Sequence, residues 1–142
     1  MSTGADEIRN RITSVCSSAP FHFAQSATPF SFDLQPASAI DAVFRIESES
    51  SSVIGGFNYS EERTDTMRIW VARRQASDPE GTYQRLQADA RSLRAAIVRD
   101  GCEGGGDYGV PNTGGSTQIS HDRGTEFGVL RLTVPACYDA EL

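Results

Sequence analysis

Residues 104–109 read GGGDYG, a letter-for-letter match to G-x-G-x-x-G. That spacing lets backbone close on a dinucleotide pyrophosphate, provided a strand delivers the glycines and a helix starts at once behind them. Here a helix-forming stretch comes before the glycines, and Val110-Pro111-Asn112 with two further glycines comes after. The match is read as glycine density, and no cofactor is expected. Gly114-Gly115-Ser116-Thr117-Gln118 lacks the last glycine of a G-x-S-x-G nucleophile elbow. His22 and His121 each stand alone and are read as structural or solvated. Glu61 and Glu62 could form an acid/base pair, but successive strand residues face opposite sides, which favours a solvated hairpin tip. Cys16, Cys102 and Cys137 have no zinc-type spacing and are odd in number, so neither a metal site nor a disulfide framework is expected. There is no lysine, which excludes a P-loop lysine, a Schiff base and a lysine general base. No catalytic residue follows from these patterns, and the chain is not expected to be an enzyme.

The 142 residues suit one domain, here taken as 1–142. A formal charge of −6 lacks the basic footprint that phosphate-backbone binding needs. No apolar run is long enough for a membrane span, and MSTGADEIRNR lacks the basic-then-apolar start of an export signal. Synthesis in a reducing cytosol is the expectation. All thirteen basic residues are arginine, which suits interfaces and bidentate pairs and equally fits a GC-rich codon bias.

Residues 4–17 carry Ile8, Ile12 and Val15 on one helical stripe, with Thr3 as a cap and Asp6 and Glu7 at the positive end of the dipole. The segment 18–41 holds three prolines and four of the seven phenylalanines. That composition predicts an extended strap with one face laid down, either on its own sheet or on a neighbouring subunit. Strands are expected over 42–47 and 53–59, with Gly55-Gly56 marking a bulge. YSEERTD is expected to form a polar hairpin tip before the strand 66–74, in which Met67, Ile69 and Val71 oppose Arg68, Trp70 and Ala72. Tyr83, Leu86, Ala90, Leu93 and Ile97 define a helix over 79–99, capped by Asp78 or Ser77 and stopped at Gly101. A glycine-rich connector over 102–117 leads to strands at 117–121 and 126–134, joined by a turn at Asp122-Arg123-Gly124. The class is α+β: a small, mostly antiparallel sheet packed against one long helix plus a short N-terminal helix.

The succession IGGFNYSEERTDTMRIWVARR, GTYQRLQADARSLRAAIVRDG and TEFGVLRLTVPACY resembles the tail terminator (tail completion) proteins of long-tailed bacteriophages and gene transfer agents. The resemblance covers residues 40–142 and rests on pattern and length. It implies a subunit of a ring, expected to be a hexamer, that caps the tail tube, ends its polymerisation and docks it to the head. The implied partners are further copies of the chain, the tail tube protein and a head-completion or connector protein. Genome DNA would pass through the lumen as cargo, and no membrane is involved. The implied location is the virion neck, assembled in the bacterial cytoplasm. A head-completion (stopper) protein is the nearest alternative, and a small ligand-binding domain or enzyme a more distant one. Glu61, Glu62, Arg63 and Asp65, with Arg73 and Arg74 at the far strand end, are the candidate subunit or tube contacts. Gly104, Gly105, Gly106, Asp107 and Tyr108 form a candidate interface loop.

The glycine reading has a direct check. Replacing Gly104 and Gly106 with alanine leaves the fold intact, and calorimetry finds no saturable nucleotide binding in either protein. Binding lost on those replacements would restore the dinucleotide reading.

Overall fold

The computed structural model describes residues 4–36, 42–57, 60–75, 78–101, 115–120 and 126–141. In chain order the elements are α1 (Gly4–Ser17), β1 (Ala24–Gln25), β2 (Ala42–Phe57), β3 (Ser60–Arg74), α2 (Pro79–Gly101), β4 (Ser116–Ser120) and β5 (Phe127–Glu141). The class is α+β. The sheet is mixed, in the order β1-β2-β3-β5-β4. The short β1 runs parallel to β2, and the other three pairings are antiparallel.

Alternation along β3 fixes the two faces of the sheet. Met67, Ile69 and Val71 point to one side and join Phe44, Leu130, Leu132 and Val134 in the larger core. Both helices cover this side: α1 contributes Ile8, Ile12 and Cys16, and α2 contributes Leu86, Ala90, Leu93 and Ile97. Tyr83, expected on the same buried stripe, is only half-buried. Trp70 and Ala72 point the other way, with Val43, Phe127 and Val129.

The strap covers that second face. Phe30 is fully buried there, and Phe32 meets Trp70 edge-on at 5.0 Å between ring centroids. Phe23 turns instead into the larger core. Of the two supports open to the strap, its own sheet is the one used, at least through residue 36. His22 makes the turn into it at φ 52°, a left-handed conformation uncommon for a non-glycine residue.

Local chemistry explains α2. The Asp78 carboxylate accepts the Gly81 backbone N–H at 3.0 Å, so Asp78 is the N-cap. As the carboxylate stands, a Cβ at position 81 would lie 2.2 Å from Asp78 Oδ2, so a larger residue there would make the exposed Asp78 side chain turn. Thr3, the Asp122-Arg123-Gly124 turn and most of the glycine connector lie outside the described residues.

Three boundaries differ from the sequence reading. The expected strands 42–47 and 53–59 are one strand, β2, with register shifts between Ser48 and Ser50 and between Val53 and Gly55. Each shift inserts one residue and resets the alternation, so the pattern looks interrupted while the ladder continues. The expected tip YSEERTD is mostly strand: β3 begins at Ser60, and Glu61 to Asp65 pair with β2 on one side and β5 on the other. Finally, β5 runs through Pro135 to Glu141. Proline is tolerated there because β4 covers β5 only over Val129–Thr133, leaving a free edge beyond it among the described residues.

Cys16 yields a pH-dependent stability with a defined sign. Burial pushes its thiol up to about 12, from an ordinary 9.0. A raised folded value means that the native state keeps its proton after the unfolded chain has lost it. The contribution is therefore whole below pH 9 and falls as pH rises through the interval up to about 12. Urea unfolding is expected to show a decline of up to about 1.4 kcal/mol per pH unit above pH 9. Cys16→Ala, compared at each pH, removes that part of the slope, and parallel curves for the two proteins would contradict it.

Candidate interaction surfaces

Glu61, Glu62, Arg63 and Asp65, expected at a polar hairpin tip, lie along β3 between β2 and β5. Asp65 faces the helices and is 7 % exposed, and its Oδ1 accepts the Tyr138 hydroxyl at 3.0 Å. Its carboxylate serves a buried hydrogen bond, which corrects its placement at an exposed tip. Arg63 donates to Glu61 at 2.8 Å and to Ser51 Oγ on β2 at 3.0 Å. The Glu61 carboxylate holds the Arg63 guanidinium above its ordinary range. Glu62 points to the opposite face, is exposed, and stands across from Gly55. So Glu61 and Glu62 do separate to two faces, but as strand residues within the sheet.

At the other end of β3 the arginines are also engaged. Arg73 makes a bidentate pair with Asp89 of α2, Nε to Oδ2 at 2.5 Å and Nη2 to Oδ1 at 3.0 Å. Its guanidinium carbon lies 5.3 Å from the centroid of Phe23. One side chain thus ties the central strand, the long helix and the strap. Side-chain exposures of 20 % for Arg73 and 12 % for Asp89 place this pair out of bulk solvent, where a bidentate fork is strongest. Arg74 pairs with Glu126 at 2.9 Å and lies over Phe127. Gly104, Gly105, Gly106, Asp107 and Tyr108 lie outside the described residues.

Two features were not singled out from the sequence. On the strap face, Trp70 Nε1 donates to Glu47 at 3.2 Å, and Arg131 lies over both Phe32 and Trp70. On the helix face, a groove of about 360 Å³ runs between α2 and β4. Its helix wall is Tyr83, Gln87, Arg91 and Arg94, with Thr117 and Ile119 on the strand side. The spacing 4, 4, 3 of those helix residues is a stripe beside the apolar one, a signal present in the sequence but masked by its neighbour. Among the described residues no grouping of His, Cys, Asp and Glu could hold a metal ion, and no helix is long and apolar enough to cross a membrane.

The Arg73–Asp89 pair is open to measurement. Asp89→Ala strips a half-buried guanidinium of both acceptors and is expected to cost about 1–3 kcal/mol in urea unfolding. Arg73→Ala should cost a similar amount, and the double variant less than the sum, because the two share one interaction. Arg74→Ala, which removes a more exposed pair, should cost about 0–1 kcal/mol. Additive losses at Arg73 and Asp89 would mean that the fork contributes nothing.

No protein-family model matches this chain, and no curated protein matches it either.

Proposed function

We propose that the chain is a structural subunit that caps a phage-type tail tube, ends tube growth and presents the surface to which a head docks. The observation that carries this reading is the order of elements over residues 40–142. A long β2–β3 hairpin, a 23-residue helix and a β4–β5 pair make a mostly antiparallel sheet against one long helix, with a short N-terminal helix beside it. That order and spacing is the pattern in which the sequence resembles tail terminators.

The architecture suits such a role on physical grounds. A tube end presents unsatisfied symmetric interfaces, and head-to-tail contacts propagate until something covers them. A terminator needs one face that fits the tube and another that a tube subunit cannot extend. β2 and β3 offer an extended hairpin whose far end carries Glu61, Glu62 and Arg63, charges that set register and specificity more than affinity. Of the candidate contacts, Glu62 is the exposed one, and Asp65 and Arg73 act inside the subunit. Association of the chain with itself as a ring, with the tube protein and with a head-completion or connector protein belongs to the same proposal, as does its place in the virion neck. A net charge of −6 suits a lumen through which DNA passes without adhering.

Deletion of the gene, followed by electron microscopy of the particles, tests the reading. The expected result is overgrown tails beside filled, tailless heads. Loss of a head stopper would instead give free tails of normal length beside heads that leak DNA. Loss of an enzyme would leave particle architecture intact. Uniformly normal tails would overturn the terminator reading.

A further inference from the structure

β4 closes the sheet order on one side, and β5 pairs with its inner edge. Among the described residues nothing pairs with the backbone donors and acceptors of its outer edge. α2 runs alongside in the opposite direction. Near one end, a Cβ at Gly128 would lie 3.0 Å from Thr82 Cγ2 and 3.7 Å from the Ser120 carbonyl oxygen. At the other end, the Arg94 guanidinium lies across Gly115, where a Cβ would come within 1.8 Å of Nη1. Glycine at this position lets the arginine lie flat over the entry to β4. Helix residues 83 to 94 rise about 16 Å, and the five residues of β4 span about the same length. The groove therefore lies beside β4, with Thr117 and Ile119 on its strand side.

Its chemistry is directional. Ala90 and Ile119 give an apolar floor, while Arg91 and Arg94 stand at one end of the helix wall. Arg45, Arg63, Arg68, Arg73 and Arg74 each hold a carboxylate of this chain. Arg91 and Arg94 hold none among the described residues, in a protein of net charge −6. Helical residues three apart set their Cβ atoms about 5–6 Å from each other. In an extended chain, alternate residues share a face at about 6.5 Å spacing. Carboxylates two residues apart on a strand therefore repeat at a spacing close to that of the Arg91 and Arg94 Cβ atoms, and alternating backbone groups suit a strand edge.

The geometry points to a docking groove for an extended acidic segment of a partner protein, added as a further strand on the outer edge of β4 with carboxylates on Arg91 and Arg94. Main-chain hydrogen bonds supply affinity, and the arginine pair with the apolar floor supplies selectivity. This inference does not depend on the terminator reading.

A capped peptide, Thr-Val-Glu-Val-Glu-Val-Thr, tests it on the purified full chain. Calorimetry should show saturable binding, and the same peptide with lysine for glutamate should not bind. Arg91→Gln with Arg94→Gln, which breaks no ion pair among the described residues, should keep native circular dichroism and weaken binding about tenfold or more. A peptide N-methylated at every residue keeps the charges but donates no ladder hydrogen bond, and it should not bind. Hydrogen exchange should slow at Ser116–Ser120 in the complex. The proposal is overturned by an absence of saturable binding, by binding indifferent to the arginine changes or to N-methylation, or by protection elsewhere. It is equally overturned by tighter binding of oligothymidylate, or by NMR contacts placing the chain's own residues 102–114 in the groove.

Discussion

Two-sided burial of β3 is the constraint on which the rest depends. Met67, Ile69 and Val71 are buried on one face, and Trp70 and Ala72 on the other. A strand of this kind, lying between β2 and β5, needs cover above and below. Two helices supply one cover, and their apolar stripes match it in period. Among the described residues nothing helical remains for the second face, where Trp70, Phe127 and Val129 would form an exposed apolar patch. The proline-interrupted strap supplies that cover with Phe30 and Phe32. Phe30 and Phe32 follow from that role, because an extended segment buries area with few residues only if those residues are large.

Cover on both faces has to be kept in register, and polar side chains do that. The Arg73 fork to Asp89, with Phe23 beneath the guanidinium, fixes helix and strap to the same end of β3. Arg131 has the corresponding role on the other face, lying over Phe32 and Trp70 while its Nη2 reaches Gln118 on β4. Toward the far end of β3, Asp65 and Tyr138 bond across adjacent strands in the helix-facing layer. Asp65, Arg73 and Arg74, which look like contact residues in the sequence, therefore also brace the subunit from within.

That distinction separates what the sequence revealed from what it hid. α1, α2 and the core of β3 were legible because an unbroken period identifies an element without knowledge of its partners. β2 was not legible as one strand, because two bulges break its alternation and the Glu47-Ser48-Glu49-Ser50-Ser51-Ser52 run looks like a turn. The start of β3 was hidden for a related reason: charged residues in a ladder flanked on both sides keep strand geometry through the backbone bonds to both neighbours. Pro135 gave a false stop, since only the pairing pattern shows that, among the described residues, β4 does not reach β5 there. The groove was hidden most deeply. Its helix wall and its strand wall are far apart in the chain, and their meeting depends on the register of β4 against β5.

The two ends of the sheet differ in a way that bears on assembly. β4 is short, straight in register and flanked by Arg91 and Arg94. Among the described residues the opposite end is formed by the two residues of β1 and, beyond them, by the unpaired edge of a long, twice-bulged β2. Bulges and brevity are both devices that discourage indiscriminate edge pairing. Self-complementary twofold association requires one patch to fit itself, whereas unlike patches favour head-to-tail contacts. Head-to-tail contacts close into a ring when the rotation between copies divides a full turn, and otherwise they extend without limit. On the proposed reading the subunit has to close, and unlike sheet ends with restricted pairing make closure compatible with an edge that remains selective.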